Sequence, residues 1–156
     1  MCYTGQSRDS GINNWEVMKA HVDGNRTVVR HFDRIAAIAS EMRHALENND
    51  WRLTARLLKQ EWGARKKNFP GITTPQMEHL MALARRHGAL AGKACGAGGG
   101  GCVFFLVEPE AKATLETALR QAGARVLPFR IAPRGLTVKE TKKAPARPNS
   151  PPPPSA

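Results

Sequence analysis

Apolar residues recur along this chain with two different periods, which predict a mixture of helices and strands. A spacing of three and four residues predicts amphipathic helices over residues 13–22, 26–48, 51–67, 75–87 and 109–122. In the first of them, Trp15, Met18 and Val22 would form the apolar face. Short runs rich in β-branched and aromatic residues predict strands at 1–4, 102–107 and 125–131. A further strand would end at Cys95, and residues 135–139 are candidates for a short final one.

The order of these elements indicates a fold class. Strand, helices, strand, strand, helix and strand follow one another, as in an α+β, ferredoxin-like split β-α-β sandwich with helices on one face of the sheet. The extra helices between residues 13 and 67 would enlarge the helical layer. Residues 139–156 contain six prolines and no large apolar side chain, so a disordered basic tail is expected there. One domain over residues 1–138 is therefore predicted.

Five of the six residues that connect the predicted strand ending at Cys95 to the strand at 102–107 are glycines. They are Gly96, Gly98, Gly99, Gly100 and Gly101, with Ala97 between the first two. Each glycine loses much backbone entropy on folding, so such a cluster indicates positive φ angles or a close approach to the backbone. A dinucleotide-binding GxGxxG loop would open a helix, and a phosphate-binding P-loop would need Ser or Thr after its lysine. Gly96, Gly98 and Gly101 fit the GxGxxG spacing, but a strand follows them instead of a helix. The nearest approach to a P-loop ends in Lys93 and Ala94, so it lacks the hydroxyl. Successive N–H groups could form an anion-binding nest, and a mobile hairpin connector is the alternative.

Composition and charge leave several functions open, including the binding of nucleic acids and of anionic ligands. The 156 residues are 41% hydrophobic and 24% charged, which is ordinary for a soluble globular protein. The formal net charge of +11 would suit a nucleic acid or an anionic ligand. Because the basic residues are scattered rather than striped, most are expected to be solvated surface, and a few could meet a phosphorylated ligand.

Motifs for metal binding, disulfide bonding and export are missing. The three cysteines form no CxxC pair and the five histidines show no HxxxH spacing, so no metal site and no disulfide framework is predicted. No apolar run approaches the roughly 20 residues of a membrane helix, and the first residues lack a signal-peptide pattern. We expect a cytoplasmic protein with no membrane partner.

Four polar residues outside the glycines are candidates for phosphate or substrate contact. The guanidinium of Arg8 could pair with a phosphate or sugar oxygen. Asp9 and Ser10 could contribute to the same site, although either could simply cap the following helix. Lys93 could add positive charge beside the glycines, or it could project from its strand to solvent.

The glycine motif and its surroundings resemble those of a known family, the GHMP kinases. The run KACGAGGGGC, residues 93–102, is similar to the third motif of that family and departs from it at Cys95, where mevalonate kinase-like members usually have Ser or Thr. PGITTP at 70–75 and YTGQSRDS at 3–10 resemble the sugar-kinase branch, which includes heptose-phosphate kinases and galactokinase-like enzymes. The resemblance covers residues 1–138 and identifies them as the C-terminal domain of such a kinase.

The resemblance implies a kinase function and also implies that this chain is only part of the kinase. Residues 96–101 would close on the phosphates of ATP, bound with Mg²⁺, and on a sugar or sugar-phosphate substrate. Arg8, Asp9 and Ser10 would border the same cleft. The main ATP-binding motif of the family, PxxxGLxSS, and its aspartate base belong to an N-terminal domain, and the motif does not occur in this sequence. An N-terminal kinase domain or subunit is thus the expected partner, and the chain alone is expected to be inactive.

Two other functions remain open at this point. A basic ferredoxin-like domain with aromatic residues on a strand could bind RNA. However, Phe104 and Phe105 are adjacent and so point to opposite faces of the strand, and no second aromatic strand is predicted. A regulatory domain that binds a small molecule without catalysis is the other alternative.

Overall fold

The computed structural model describes residues 1–7 and 10–138, and for Ser10 it describes the backbone alone. Within these ranges four strands and five α-helices occur. The strands are β1 (Cys2–Tyr3), β2 (Ala89–Ala94), β3 (Cys102–Val107) and β4 (Arg125–Val126), and the helices are α1 (Ser10–Val22), α2 (Arg26–Glu47), α3 (Trp51–Arg65), α4 (Pro75–Arg86) and α5 (Pro109–Gln121). A 3₁₀ turn, Pro70–Ile72, precedes α4.

The four strands form one antiparallel sheet in the order β2-β3-β1-β4. The first strand of the chain therefore lies between the third and the fourth, which is the strand order of a split β-α-β unit and confirms the predicted fold class. Cys2 is opposite Val103 on one side and Val126 on the other, and it is fully buried. The chain leaving β1 consequently runs beside the connection between β2 and β3.

The main hydrophobic core lies between the sheet and helices α4 and α5. Met77, Leu80, Val103, Leu115 and Leu119 are among its buried members. These side chains come from α4, β3 and α5 at the helical and strand spacings that the sequence pattern indicates. The periodicity of the apolar residues thus predicts this layer correctly.

Helices α2 and α3 pack against each other and against every second side chain of β3. Phe104 and Leu106 contact the cluster of Ala55, Leu58 and Ala91, whereas Phe105 belongs to the main core. Successive strand residues point to opposite faces, so α2 and α3 cover part of the second face. The expectation of helices on only one face of the sheet is wrong. Both phenylalanines are at least partly buried, and they offer no shared aromatic surface for stacking bases.

Local capping signals explain where several helices begin. The side chain of Asn25 accepts hydrogen bonds from the N–H groups of Thr27 and Val28 at the start of α2. Asp50 accepts one from Leu53 N–H (2.8 Å), as predicted for the start of α3. Thr74 accepts one from Met77 N–H, and Pro75 is the first residue of α4, where its missing N–H has no cost.

Helix α1 forms as predicted, but its apolar face is not the buried one. Trp15, Met18 and Val22 are 62%, 58% and 77% exposed. The helix packs against the body of the protein through its opposite side, where Asn13 is buried. The apolar stripe of this helix therefore does not face the core.

The C-terminal strand is shorter than the predicted range 125–131. It ends after two residues, Leu127 N–H still donates to the carbonyl of Met1 (3.0 Å), and Pro128 then has no N–H with which to continue the ladder. Residues 135–138 form no strand. Lys139 and the tail at 139–156, with its predicted disorder, lie outside the described residues.

Candidate active site

The connection between β2 and β3, residues 96–101, will be called the glycine loop. Its five glycines all have positive φ angles, from +74° at Gly99 and Gly101 to +123° at Gly100. Ala97 does not. Residues other than glycine rarely adopt such angles, so the sequence of this loop follows from its backbone conformation.

The glycine loop is fixed to two neighbouring segments by backbone hydrogen bonds. Gly99 N–H donates to the carbonyl of Ile72 in the 3₁₀ turn (2.9 Å), and Gly101 N–H donates to the carbonyl of Gln6 (2.9 Å). Thr4 N–H in turn donates to the carbonyl of Gly101 (2.9 Å). The loop is therefore part of the packed structure and is not a free hairpin connector.

Close packing is a second reason for glycine in this loop. A Cβ on Gly98 would collide with the carbonyl group of Ile72. A Cβ on Gly99 would lie 2.5 Å from Asn13 Nδ2, and one on Gly100 would lie 3.0 Å from the carbonyl oxygen of Gln6. These three glycines permit the loop to lie directly on the protein surface.

The hydrogen bonds also decide which N–H groups of the loop remain for a ligand. No described residue accepts a hydrogen bond from the N–H of Gly96, Ala97, Gly98 or Gly100. The first three are consecutive, and their φ angles alternate in sign, as in an anion-binding nest. A phosphate group of ATP fits this donor set, because unpaired N–H groups without obstructing side chains can surround its oxygens. The nest is smaller than the sequence predicts, since Gly99 and Gly101 already donate to protein carbonyls.

Lys93 lies at the end of β2 and forms an ion pair with a buried carboxylate. Its Nζ is 2.6 Å from Glu61 Oε2, with the geometry of an ion pair rather than a directed hydrogen bond. Arg65 Nε donates to the other oxygen of Glu61 at 2.6 Å. Glu61 is 8% exposed, so the carboxylate would be unfavourable without these two cations. The Lys93 ammonium thus connects β2 to α3 and does not project into solvent.

A cleft of about 380 Å³, here called the Asn13 cleft, lies beside the glycine loop between α1, α2 and the 3₁₀ turn. Its lining includes Asn13, His21, Arg65, Asn68, Ile72 and Ala97. Asn13 Nδ2 donates to the carbonyl of Gly71 (2.9 Å), and His31 Nδ1 is 2.9 Å from Asn68 Oδ1. These contacts hold two amide groups at the wall of a cleft that the loop closes on one side.

A second, more open cleft of about 580 Å³ adjoins the first. Lys93, Cys95 and Gly96 line it, and Arg65 lines both clefts. Two of the residues whose N–H groups have no described acceptor therefore border different clefts, Ala97 the first and Gly96 the second. The glycine loop therefore separates two spaces, either of which could receive part of a phosphorylated ligand.

The other predicted residues have different outcomes. Arg8 and Asp9 lie outside the described residues, and Ser10 is the first residue of α1. Asn13, Arg65 and Asn68 were not expected. Glu61 and Arg65 have the i, i+4 spacing of a helical ion pair, which is a signal in the sequence, whereas nothing near Asn68 distinguishes it from a surface amide.

Within the described ranges, no group of three or more histidine, cysteine, aspartate or glutamate side chains could hold a metal ion. No helix of that part of the chain has the length and hydrophobicity needed to cross a membrane.

Comparison with known proteins adds the family to this geometry. The model of the C-terminal region of GHMP kinases matches residues 42–125, which include α3, α4, the glycine loop, β3 and α5. The chain belongs to the GHMP kinase family. It is 34% identical over 98 residues to the D-glycero-alpha-D-manno-heptose 7-phosphate kinase of Campylobacter jejuni, covering 63% of this chain and 29% of that enzyme. It is 30% identical over 137 residues to glucuronokinase 1 of Arabidopsis thaliana, covering 87% of this chain and 38% of that enzyme.

The fold is also shared with solved structures. The mevalonate kinase of L. major, crystallised with R-mevalonate, superposes with a TM-score of 0.69 at 21% identity, covering 77% of this chain and 36% of that one. The chain thus spans roughly a third of the length of the curated relatives described above. The matched third is the C-terminal domain in the family model.

Proposed function

We propose that this chain forms the C-terminal part of an ATP-dependent kinase that phosphorylates a hydroxyl group of a sugar or sugar phosphate. The observation that carries the proposal is the set of unpaired N–H groups at Gly96, Ala97 and Gly98 beside the Asn13 cleft. Phosphoryl transfer is catalysed mainly by positioning and by stabilisation of negative charge. Backbone donors held in a rigid loop supply both without side-chain entropy.

In this proposal the glycine loop would hold phosphate oxygens of ATP, and Mg²⁺ bound to ATP would neutralise part of the phosphate charge. Asn13 and Asn68 are placed to bind hydroxyl groups of an acceptor in the Asn13 cleft, because an amide both donates and accepts hydrogen bonds. Arg8, Asp9 and Ser10 stay proposed contacts to phosphate or substrate. The dependence on ATP also fits the cytoplasmic location expected for the protein.

The acceptor class rests on the relatives. Two of the matched proteins are named as kinases of a heptose phosphate and of glucuronate. The lining of the Asn13 cleft is mostly apolar, but its amides and His21 can form hydrogen bonds with hydroxyl groups of such an acceptor. We therefore favour a sugar or sugar phosphate as the substrate.

We further propose that the chain needs an N-terminal partner and is inactive alone. The sequence has no PxxxGLxSS segment. Glu61, the described carboxylate that lines the cleft at Gly96, is held by Lys93 and Arg65 and is not free to act as a base. The partner would be an N-terminal kinase domain or subunit that supplies the remaining wall of the nucleotide site.

An ADP-release assay tests both statements. The purified chain with Mg·ATP and a panel of sugars and sugar phosphates should release ADP at the rate of the enzyme-free control. A chimera in which this chain replaces the matching segment of the Campylobacter jejuni kinase should release ADP with heptose 7-phosphate. Turnover by the chain alone would contradict the need for a partner, and an inactive chimera with native-like circular dichroism would contradict the proposed role.

A further inference from the structure

A separate cavity of about 320 Å³ opens at the edge of the sheet formed by β2, between α3 and α4. We call it the α3–α4 cavity. Its floor is apolar and includes Trp62, Met81 and Phe105. None of its lining residues lines either cleft beside the glycine loop, so it is distinct from the candidate active site.

The rim of the α3–α4 cavity carries more positive than negative charge. Lys59, Lys66 and Arg85 face a single carboxylate, Glu78. Burial alone would raise the pKa of Glu78, but hydrogen bonds from Lys66 and Thr73 and the charges of Lys66 and Arg85 outweigh it and lower that pKa. Glu78 is therefore ionised at neutral pH and is paired with Lys66 at 3.0 Å. Lys59 and Arg85 have no ion-pair partner among the described residues.

Gly63 supplies a second observation at the wall of this cavity. It lies in the last turn of α3 without a positive φ, and a Cβ added to it would meet no atom within 4 Å. Neither the backbone nor packing requires glycine here, although glycine costs a helix up to about 1 kcal/mol relative to alanine. The missing side chain leaves space in the cavity next to its apolar floor.

We propose that the α3–α4 cavity binds a small amphipathic organic anion. The apolar part of the ligand would lie against Trp62, Met81 and Phe105 in the space left by Gly63. Its phosphate or carboxylate group would meet Lys59 and Arg85, neither of which forms an ion pair with a described residue. The volume of the cavity is within the range of sites for small molecules.

Hexyl phosphate is a suitable probe, because it combines a six-carbon chain with a phosphate group. Trp15 and Trp51 are exposed, so replacing both with Phe leaves the nearly buried Trp62 as the single tryptophan reporter in the full chain. Hexyl phosphate should change its fluorescence saturably. Inorganic phosphate and 1-hexanol, which each present one half of the probe, should bind at least about tenfold more weakly. Hexanoate in a parallel titration shows whether a carboxylate can replace the phosphate group.

Two matched pairs of variants locate the binding. Gly63→Leu fills the cavity and should weaken hexyl phosphate binding at least about tenfold, whereas Gly63→Ala should retain most of it. Arg85→Gln should weaken binding about fivefold. Arg86→Gln, an exposed neighbour outside the cavity, should leave binding unchanged.

Absence of saturable binding, or binding that both Gly63→Leu and Arg85→Gln leave unchanged, would overturn the proposal. Binding of 1-hexanol as tight as that of hexyl phosphate would overturn the anionic class of the ligand. If Gly63→Leu fails to fold, the comparison of Arg85→Gln with Arg86→Gln decides.

Discussion

Gly98 and Gly123 have the same φ angle of +82°, but they differ in what surrounds them. The carbonyl carbon of Ile72 would lie 2.9 Å from a Cβ on Gly98, and its oxygen would lie closer still. No atom would lie within 4 Å of a Cβ on Gly123. The pair therefore separates the cost of a positive φ from the cost of a steric collision.

Gly98→Ala should reduce the free energy of unfolding far more than Gly123→Ala. Gly123→Ala should cost about 1–2 kcal/mol, because only the backbone conformation is strained. Gly98→Ala should cost at least about 2 kcal/mol more, since backbone atoms cannot move aside as a flexible side chain can. Equilibrium unfolding in urea measures both. Equal costs would show that the glycine loop does not pack against Ile72.

Cys2 gives a prediction about pH. Burial raises its pKa to about 11 from an ordinary value of 9.0, with smaller contributions from the N-terminal charge, which lowers it, and from the neighbouring cysteines, which raise it. The folded state therefore holds the thiol proton more tightly than the unfolded state. Stability is unaffected below pH 9 and should fall by up to about 3 kcal/mol as the pH rises from 9 to 11.

The comparison that isolates this effect is the pH dependence of unfolding in Cys2→Ala. The variant should be less stable at neutral pH because it loses packing, but its stability should fall less steeply between pH 9 and 11. Parallel curves for the two proteins would contradict the raised pKa of Cys2.

At the scale of elements, the position of β2 against α3 depends on the Glu61 carboxylate and its two cations. Glu61→Ala would leave Lys93 and Arg65 without their partner. Removal of one member of a buried ion pair typically costs about 3–5 kcal/mol, and we expect about 2 kcal/mol here because the Lys93 and Arg65 side chains are 20% and 34% exposed. Thermal or urea unfolding gives the value.

Glu47→Ala is the matched control for this prediction. Glu47 pairs with Arg43 on the surface of α2, where the side chains are 53% and 78% exposed, so its loss should cost less than about 0.5 kcal/mol. A similar cost for Glu61→Ala would mean that the pair with Lys93 does not hold β2 to α3.

Periodicity and capping residues predict most elements of this fold, but they predict contacts between distant residues poorly. Asp50 and Thr74 mark helix starts because each cap is local. The pairing of Glu61 with Lys93 joins residues 32 positions apart, and no local pattern contains it. For α1 the pattern shows an apolar face without showing which side of the helix meets the protein.

The candidate site also has features that the local sequence predicts and features that only the tertiary structure shows. The positive φ angles of the loop were predictable from its glycines, because other residue types rarely adopt such angles. The position of Asn13 and Asn68 at the cleft depends on how α1 and α2 pack. Gly101 donates to Gln6 because of where β1 inserts in the sheet, and Gly99 donates to Ile72 because the 3₁₀ turn packs against the loop. These are properties of the tertiary structure.

At the scale of the whole molecule, the chain is a C-terminal domain of the GHMP kinase family with a candidate phosphate-binding loop at the end of β2. The central claim is that specific N–H groups of this loop bind phosphate. Because Gly99 and Gly101 already donate to protein carbonyls, they serve as internal controls for Gly96, Ala97 and Gly98.

Titration of the ¹⁵N-labelled chain with ADP, followed by amide chemical shifts, tests this claim most directly, with adenosine as the control for the base and ribose. We expect saturable shifts of the Gly96, Ala97 and Gly98 amides with ADP and not with adenosine, and much smaller shifts at Gly99 and Gly101. Unchanged loop amides, or shifts spread evenly over the basic surface, would contradict it.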